Sequence, residues 1–137
     1  MKIQKIDTTM KVQVTKEIQI SAEQIGDLLE AALYGGSNYW YLIDTEKITG
    51  QGESEFFAYR LADGLMKGTL RMPVYDIENP EDELGVVSSS SLELGLAKMS
   101  IEYPENFSRC FEEEGQWDAE DADVFFQFIT MGEVIYG

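Results

Sequence analysis

The residues that do chemistry in most small enzymes are largely missing from this chain. It contains no histidine, which excludes Ser-His-Asp and Cys-His catalysis and every zinc site built on imidazole. Cys110 is the single cysteine, so neither a thiolate cluster nor an intramolecular disulfide can form, and a reducing compartment is implied. Carboxylates are abundant, and pairs such as Glu53/Glu55 or Glu81/Glu83 have the composition of an acid and a base. In a chain with 26 acidic residues, however, such pairs arise by chance. Asp118, Glu120, Asp121 and Asp123 superficially look like a calcium loop, but the spacing fails and the sixth position lacks its glycine. Helix capping explains them better. Gly35-Gly36 and Gly50-Gln51-Gly52 match neither the dinucleotide nor the P-loop fingerprint. The expectation is a protein that is not an enzyme and uses no cofactor and no metal.

Two features remain to carry function. The first is charge: 26 acidic against 10 basic residues give a net −16. The load is uneven, because residues 1–20 hold Lys2, Lys5, Lys11 and Lys16 against Asp7 and Glu17, whereas residues 99–137 hold ten acids against Arg109 alone. Such a surface repels phosphate backbones and anionic lipid, so direct nucleic-acid and membrane binding are disfavoured and basic proteins are the natural partners. Glu112, Glu113, Glu114, Asp118, Glu120 and Asp121 are the residues expected to form that protein-binding surface. The second feature is Asn38-Tyr39-Trp40-Tyr41. Each of its three rings combines a large apolar area with a polar handle, which suits either core anchoring or stacking on a ligand base. Trp40 is expected to be a core anchor first.

The elements that must position these residues are readable from pattern. Met10, Val12, Val14, Ile18 and Ile20 share one parity of a segment at 10–20 whose other parity is polar, the signature of a half-buried strand. Ser21 with Gln24 forms a capping box, and Ile25, Leu28, Leu29, Ala32 and Leu33 continue as an apolar helical stripe. The pair Gly35-Gly36 reads as a left-handed helix end. Residues 38–43 then enter the core as strand or short helix, which periodicity does not separate.

A helix containing Phe56, Phe57, Tyr59 and Leu61 closes at Gly64 or Gly68. Thr69 to Ile77 reads as a strand, with Pro73 placing it at a sheet edge or a bulge. Asn79 to Glu83 reads as an acidic loop. Ser90 and Glu93 cap a helix carrying Leu92, Leu96, Met99 and Tyr103, and Pro104 starts a short helix with Phe107, Cys110 and Phe111 inward. Asp118 caps a last helix that is apolar nearly all round from Val124 to Met131, and therefore either central or facing a partner. A hydrophobic fraction of 44% over 137 residues supports one domain. The expected fold is a single compact α+β domain, residues 1–137, in which a small, largely antiparallel sheet from 10–20 and 69–77 packs against several helices. No apolar run approaches the ~20 residues that span a bilayer, and the N-terminus lacks a signal-peptide core, so a cytoplasmic protein is expected.

The stretch Gly35-Gly36-Ser37-Asn38-Tyr39-Trp40, taken with Ala122-Asp123-Val124-Phe125-Phe126-Gln127 and the ending Gly132-Glu133-Val134-Ile135-Tyr136-Gly137, resembles a family of small acidic proteins encoded by phages and prophages. The likeness spans about residues 10–137, and it brings no assigned activity. It implies a viral accessory protein at work in a bacterial host cell, with interference in host machinery or defence as its expected role. The leading expectation is an inhibitor whose acidic surface docks on a basic host or defence protein, in the manner of a nucleic-acid mimic. One alternative is a sponge for a nucleotide signal in which Asn38, Tyr39, Trp40 and Tyr41 bind the ligand. The other is a structural phage protein with no ligand, in which the aromatic stretch and the terminal hexapeptide pack as one unit. The oligomeric state stays open, with room for a homodimer.

Overall fold

Local capping starts the first helix. The Gln24 N–H donates to Ser21 Oγ at 3.1 Å and the Ser21 N–H to Gln24 Oε1 at 2.8 Å, which satisfies two donors at the N-terminus of α1 (Ala22–Ala31). The computed structural model describes residues 8–113 and 116–137. Within it α1 buries Ile25, Leu28 and Leu29 and runs into a π-helical turn, Ala32–Gly36. The glycine pair does not end the helix in the left-handed region, because positive φ falls at Gly50, Gly68, Gly132 and Gly137 among the described residues. Gly36 serves a close approach instead: a Cβ there would stand 2.5 Å from the Ala119 carbonyl oxygen, so its absence lets this turn seat against the start of the last helix.

A turn at 38–40 leads into β1 (Tyr41–Leu42), which answers the strand-or-helix question for that segment with two residues of strand. Helix α2 (Phe57–Lys67) ends on Gly68 at φ +75°, a left-handed cap, so of the two glycines that could close it Gly64 stays inside the helix. Strands β2 (Arg71–Asp76) and β3 (Glu83–Ser88) form an antiparallel hairpin from Arg71↔Ser88 to Tyr75↔Glu83, and β1 pairs antiparallel on the other side of β2. Pro73 therefore lies in the middle strand of three. Arg71 exchanges hydrogen bonds with Thr49, so by strand alternation the nitrogen of Pro73 faces that same side, between the Thr49 bridge and the short β1. Its missing donor falls where the neighbour is interrupted, and the register shifts just beyond it, between Val74 and Tyr75.

Residues 10–20 do not join the sheet. They take no strand or bridge among the described residues; Met10, Val12 and Val14 stay exposed, and only Ile18 and Ile20 rest on the core. Alternation makes a segment able to pair but does not choose its partner: β1 and β3 take the two sides of β2, and residues 10–20 pair with neither outer strand. The Glu83 end of the expected acidic loop is instead the start of β3.

The C-terminal half wraps this sheet with helices. Helix α3 (Ser89–Glu102) starts two residues earlier than the Ser90/Glu93 reading, because Ser88 and Ser91 form the capping box. Pro104 occupies the first turn of α4 (Pro104–Phe111), and Asp118 with Asp121 caps α5 (Ala119–Met131). Every residue from Asp121 to Thr130 is buried, so the all-round apolar helix is central, packed by α1, α3, α4 and β3. Among the described residues, five α-helices and a three-stranded antiparallel sheet make this an α+β fold. Among the described residues no helix is long and apolar enough to cross a membrane.

Candidate functional site

The acidic residues near the C-terminus separate by environment. Glu112 lies at the end of α4 and pairs with Lys16. Glu113 is exposed and accepts from Ser108 Oγ at 3.3 Å, and Asp118 and Glu120 are exposed at the start of α5. Glu114 lies outside the described residues. Asp121 is a correction: it is 1% exposed, so it offers nothing to a partner. Its carboxylate accepts Arg109 Nε and NH2 at 2.9 Å each and Asn106 Nδ2 at 2.7 Å, tying α4 to α5. Burial pushes the Asp121 carboxyl up, but the bonds from Arg109, the Asp118 backbone and Asn106 outweigh it and hold it below the usual range. The bond to Asp121 raises the Arg109 guanidinium in turn. Burial pushes the Cys110 thiol up to about 12, which makes it a packing residue rather than a nucleophile.

The aromatic stretch converges on Asp123, one helical turn above Gln127 on α5. One oxygen of Asp123 accepts Ser37 Oγ–H and Trp40 Nε1–H, both at 2.7 Å, and the other accepts Tyr39 O–H at 2.6 Å and Gln127 Nε2–H at 3.2 Å. Gln127 then holds the chain end: its carbonyl oxygen accepts the Ile135 and Tyr136 N–H groups at 2.9 Å, and its amide donates to the Tyr136 carbonyl at 3.0 Å. The Tyr136 ring lies 5.4 Å from the Trp40 ring and nearly parallel to it. The aromatic stretch and the terminal hexapeptide therefore form one packed unit.

This corrects the ligand-stacking reading of Asn38, Tyr39, Trp40 and Tyr41, because the rings are not presented together. Trp40 is buried, Tyr41 is half-buried with its hydroxyl on the Leu33 carbonyl, Tyr39 is 48% exposed but tied through its hydroxyl to Asp123, and Asn38 is exposed. Burial and the bond to Asp123 raise the Tyr39 hydroxyl to about 12, and burial raises Tyr41 to about 12. Asp123 and Gln127 were the missed residues. Two polar side chains four apart on a helix otherwise apolar all round require buried partners, and the structure supplies them from residues 37–40, more than 80 positions away in the chain.

A groove of about 680 Å³ runs between α1, α2 and the segment before α5. Tyr34, Phe56, Phe57, Tyr59 and Trp117 line it, with the carboxylates of Asp27 and Glu30, and the protein's own Arg60 guanidinium stands 5.6 Å from the centre of the Phe57 ring. Gly26 shapes its floor: the Tyr59 ring would overlap any Cβ there, at 2.3 Å, so glycine lets α1 and α2 close up beneath the ring. Tyr59 donates its hydroxyl to Asp27, and this bond, with burial and the charges of Asp27, Glu30 and Glu23, raises it to about 12. At Asp27 and Trp117 the groove meets a second hollow of about 640 Å³ that adds Glu23 and Glu112. Together the two form an acidic channel along α1 with aromatic walls. Tyr34 and Trp117 belong to none of the apolar stripes, whereas Phe56, expected inside α2, is its N-cap residue. Among the described residues no group of histidine, cysteine or carboxylate side chains is arranged to hold a metal. Compared with protein families, curated proteins and solved structures, the chain matches none.

Proposed function

We propose that this protein is a non-enzymatic binding protein, an accessory factor of a phage or prophage that occupies a basic surface of a bacterial host or defence protein in place of that protein's natural polyanion. The observation that carries this reading is uncompensated charge. A net −16 stands against two intramolecular ion pairs among the described residues, Lys16–Glu112 and Arg109–Asp121, and only the first lies at the surface. Self-repulsion on this scale weakens the compact state, and a complementary basic partner relieves it while steering association. The phage origin rests on the sequence resemblance alone. The nucleotide-sponge alternative is weaker, because Trp40, the largest ring of its proposed platform, is buried and hydrogen-bonded to Asp123.

The test is capture of partners from bacterial lysate at low and high salt, followed by association kinetics with each purified candidate. Glu112→Lys with Glu113→Lys, both exposed, should slow association and flatten its salt dependence without changing the melting temperature. Recovery of the same proteins by wild type and variant, or of none at low salt, contradicts the proposal.

A further inference from the structure

The groove between α1 and α2 breaks three local rules at once. Phe56 occupies the N-cap of α2, where Ser, Thr, Asp or Asn would satisfy an orphan N–H; it makes no side-chain cap bond and leaves its ring 63% exposed. Tyr34, 68% exposed, stands on the π-helical turn, a distortion that regular α-helix would avoid. Trp117 is packed only in part and faces the same space. Exposed rings on a strongly charged protein gain nothing for folding or solubility. Sites where local preference is violated without structural gain are where function is expected.

Resting on the reading of a basic partner, we infer that this groove is the docking site, and that its occupant is an extended segment of that partner presenting an arginine side chain between the aromatic walls and the carboxylates of Asp27 and Glu30. Two features select this chemistry. The faces of Tyr, Phe and Trp rings attract a cation, most strongly a planar guanidinium that stacks as well. The Glu30 carboxylate at the rim supplies a bidentate acceptor and Asp27 the oxygen that Tyr59 leaves free, and neither carboxylate is in an ion pair among the described residues. The adjoining hollow offers Glu23 to a further basic residue of the same segment, whereas Glu112 there is already paired with Lys16.

The probe is a synthetic peptide of alternating arginine and glycine, with an alternating glutamate and glycine peptide as control, titrated into the full chain at physiological salt. Binding is read by calorimetry and by Trp117 fluorescence, and Trp117→Phe identifies the reporter against the buried Trp40. The arginine peptide should bind saturably. Tyr34→Ser combined with Phe56→Ser, which removes exposed rings and leaves every charge in place, should weaken it about tenfold or more with an unchanged melting temperature. Unchanged affinity in that variant means diffuse charge attraction and overturns the groove. If affinity instead falls only with Glu112→Lys and Glu113→Lys, the basic-partner reading stands and the docking site is elsewhere. Failure of wild type to bind any basic peptide sinks both. A concentration-dependent dimer that the ring variant abolishes would show that the groove is covered by a second copy, and would also overturn the assignment.

Discussion

Replacing Asp123 with asparagine changes one atom and should cost far more than its size suggests. The carboxylate accepts four donors and is 8% exposed. In the variant the remaining oxygen does best facing Ser37 and Trp40, since the indole N–H can only donate. The new NH2 group then faces Tyr39, whose hydroxyl can turn to accept, and Gln127 Nε2, which cannot. The Gln127 amide cannot flip either, because its oxygen already holds the Ile135 and Tyr136 N–H groups. One buried donor is left opposed to another, at about 1–3 kcal/mol, and two charge-assisted bonds become neutral at about 1 kcal/mol each. Removing a buried charge offsets part of this, leaving a net loss of about 2–4 kcal/mol. For a domain of this length that is a fall in melting temperature of roughly 6–15 °C. Thermal unfolding followed by near-ultraviolet circular dichroism measures it and also reports whether the Trp40 environment survives. An Asp123→Asn variant that melts within about 2 °C of wild type would refute the view that this carboxylate organises the chain end.

Three further outcomes follow from the same packing. Trp40→Ala removes a ring that is 1% exposed and stacked on Tyr136, so it should lose about 3–5 kcal/mol in denaturant unfolding, whereas an unchanged midpoint would mean the ring is not a core anchor. Gly36→Ala places a Cβ against the Ala119 backbone oxygen and should destabilise by about 1–3 kcal/mol; a neutral or stabilising result would mean that the π turn and α5 are not closely seated. Tyr39, Tyr41 and Tyr59 have their folded pKa raised from 10.0 to about 12, so their contribution is complete below pH 10 and lost as pH rises through 12. An absorbance titration of tyrosinate should show these three ionising late and together with loss of helix, and early ionisation of all seven tyrosines would contradict the bonds described.

What the sequence disclosed was what is local. The capping box of Ser21, the Asp118 N-cap and the Pro104 start each depend on residues within one turn and stand where the pattern placed them, and of the two glycines offered as the stop of α2 it is Gly68 that ends it. Partner choice was not local. Residues 10–20 carry a strand's alternation but pair with no strand, while Glu83–Ser88, opening on an acid and closing on a serine, became a strand because β2 lay beside it. Charge counting put Asp121 on the surface, whereas the N-cap geometry of α5 turns it inward to Arg109. The groove was hidden for a related reason: Tyr34, Phe56 and Trp117 are far apart in the chain, and a lone aromatic reads as core until its exposure is known.

The claim that an acidic, aromatic-walled groove receives a basic segment is tested most directly by amide chemical-shift mapping of the full chain with the arginine-glycine peptide at physiological salt. The account predicts saturable shifts concentrated at Asp27, Glu30 and Tyr34, at Phe56 to Tyr59 and at Trp117, with Asn38 to Tyr41 and Asp123 unmoved. Small shifts spread over every acidic stretch, or a focus on Glu112, Glu113, Asp118 and Glu120 alone, would contradict it.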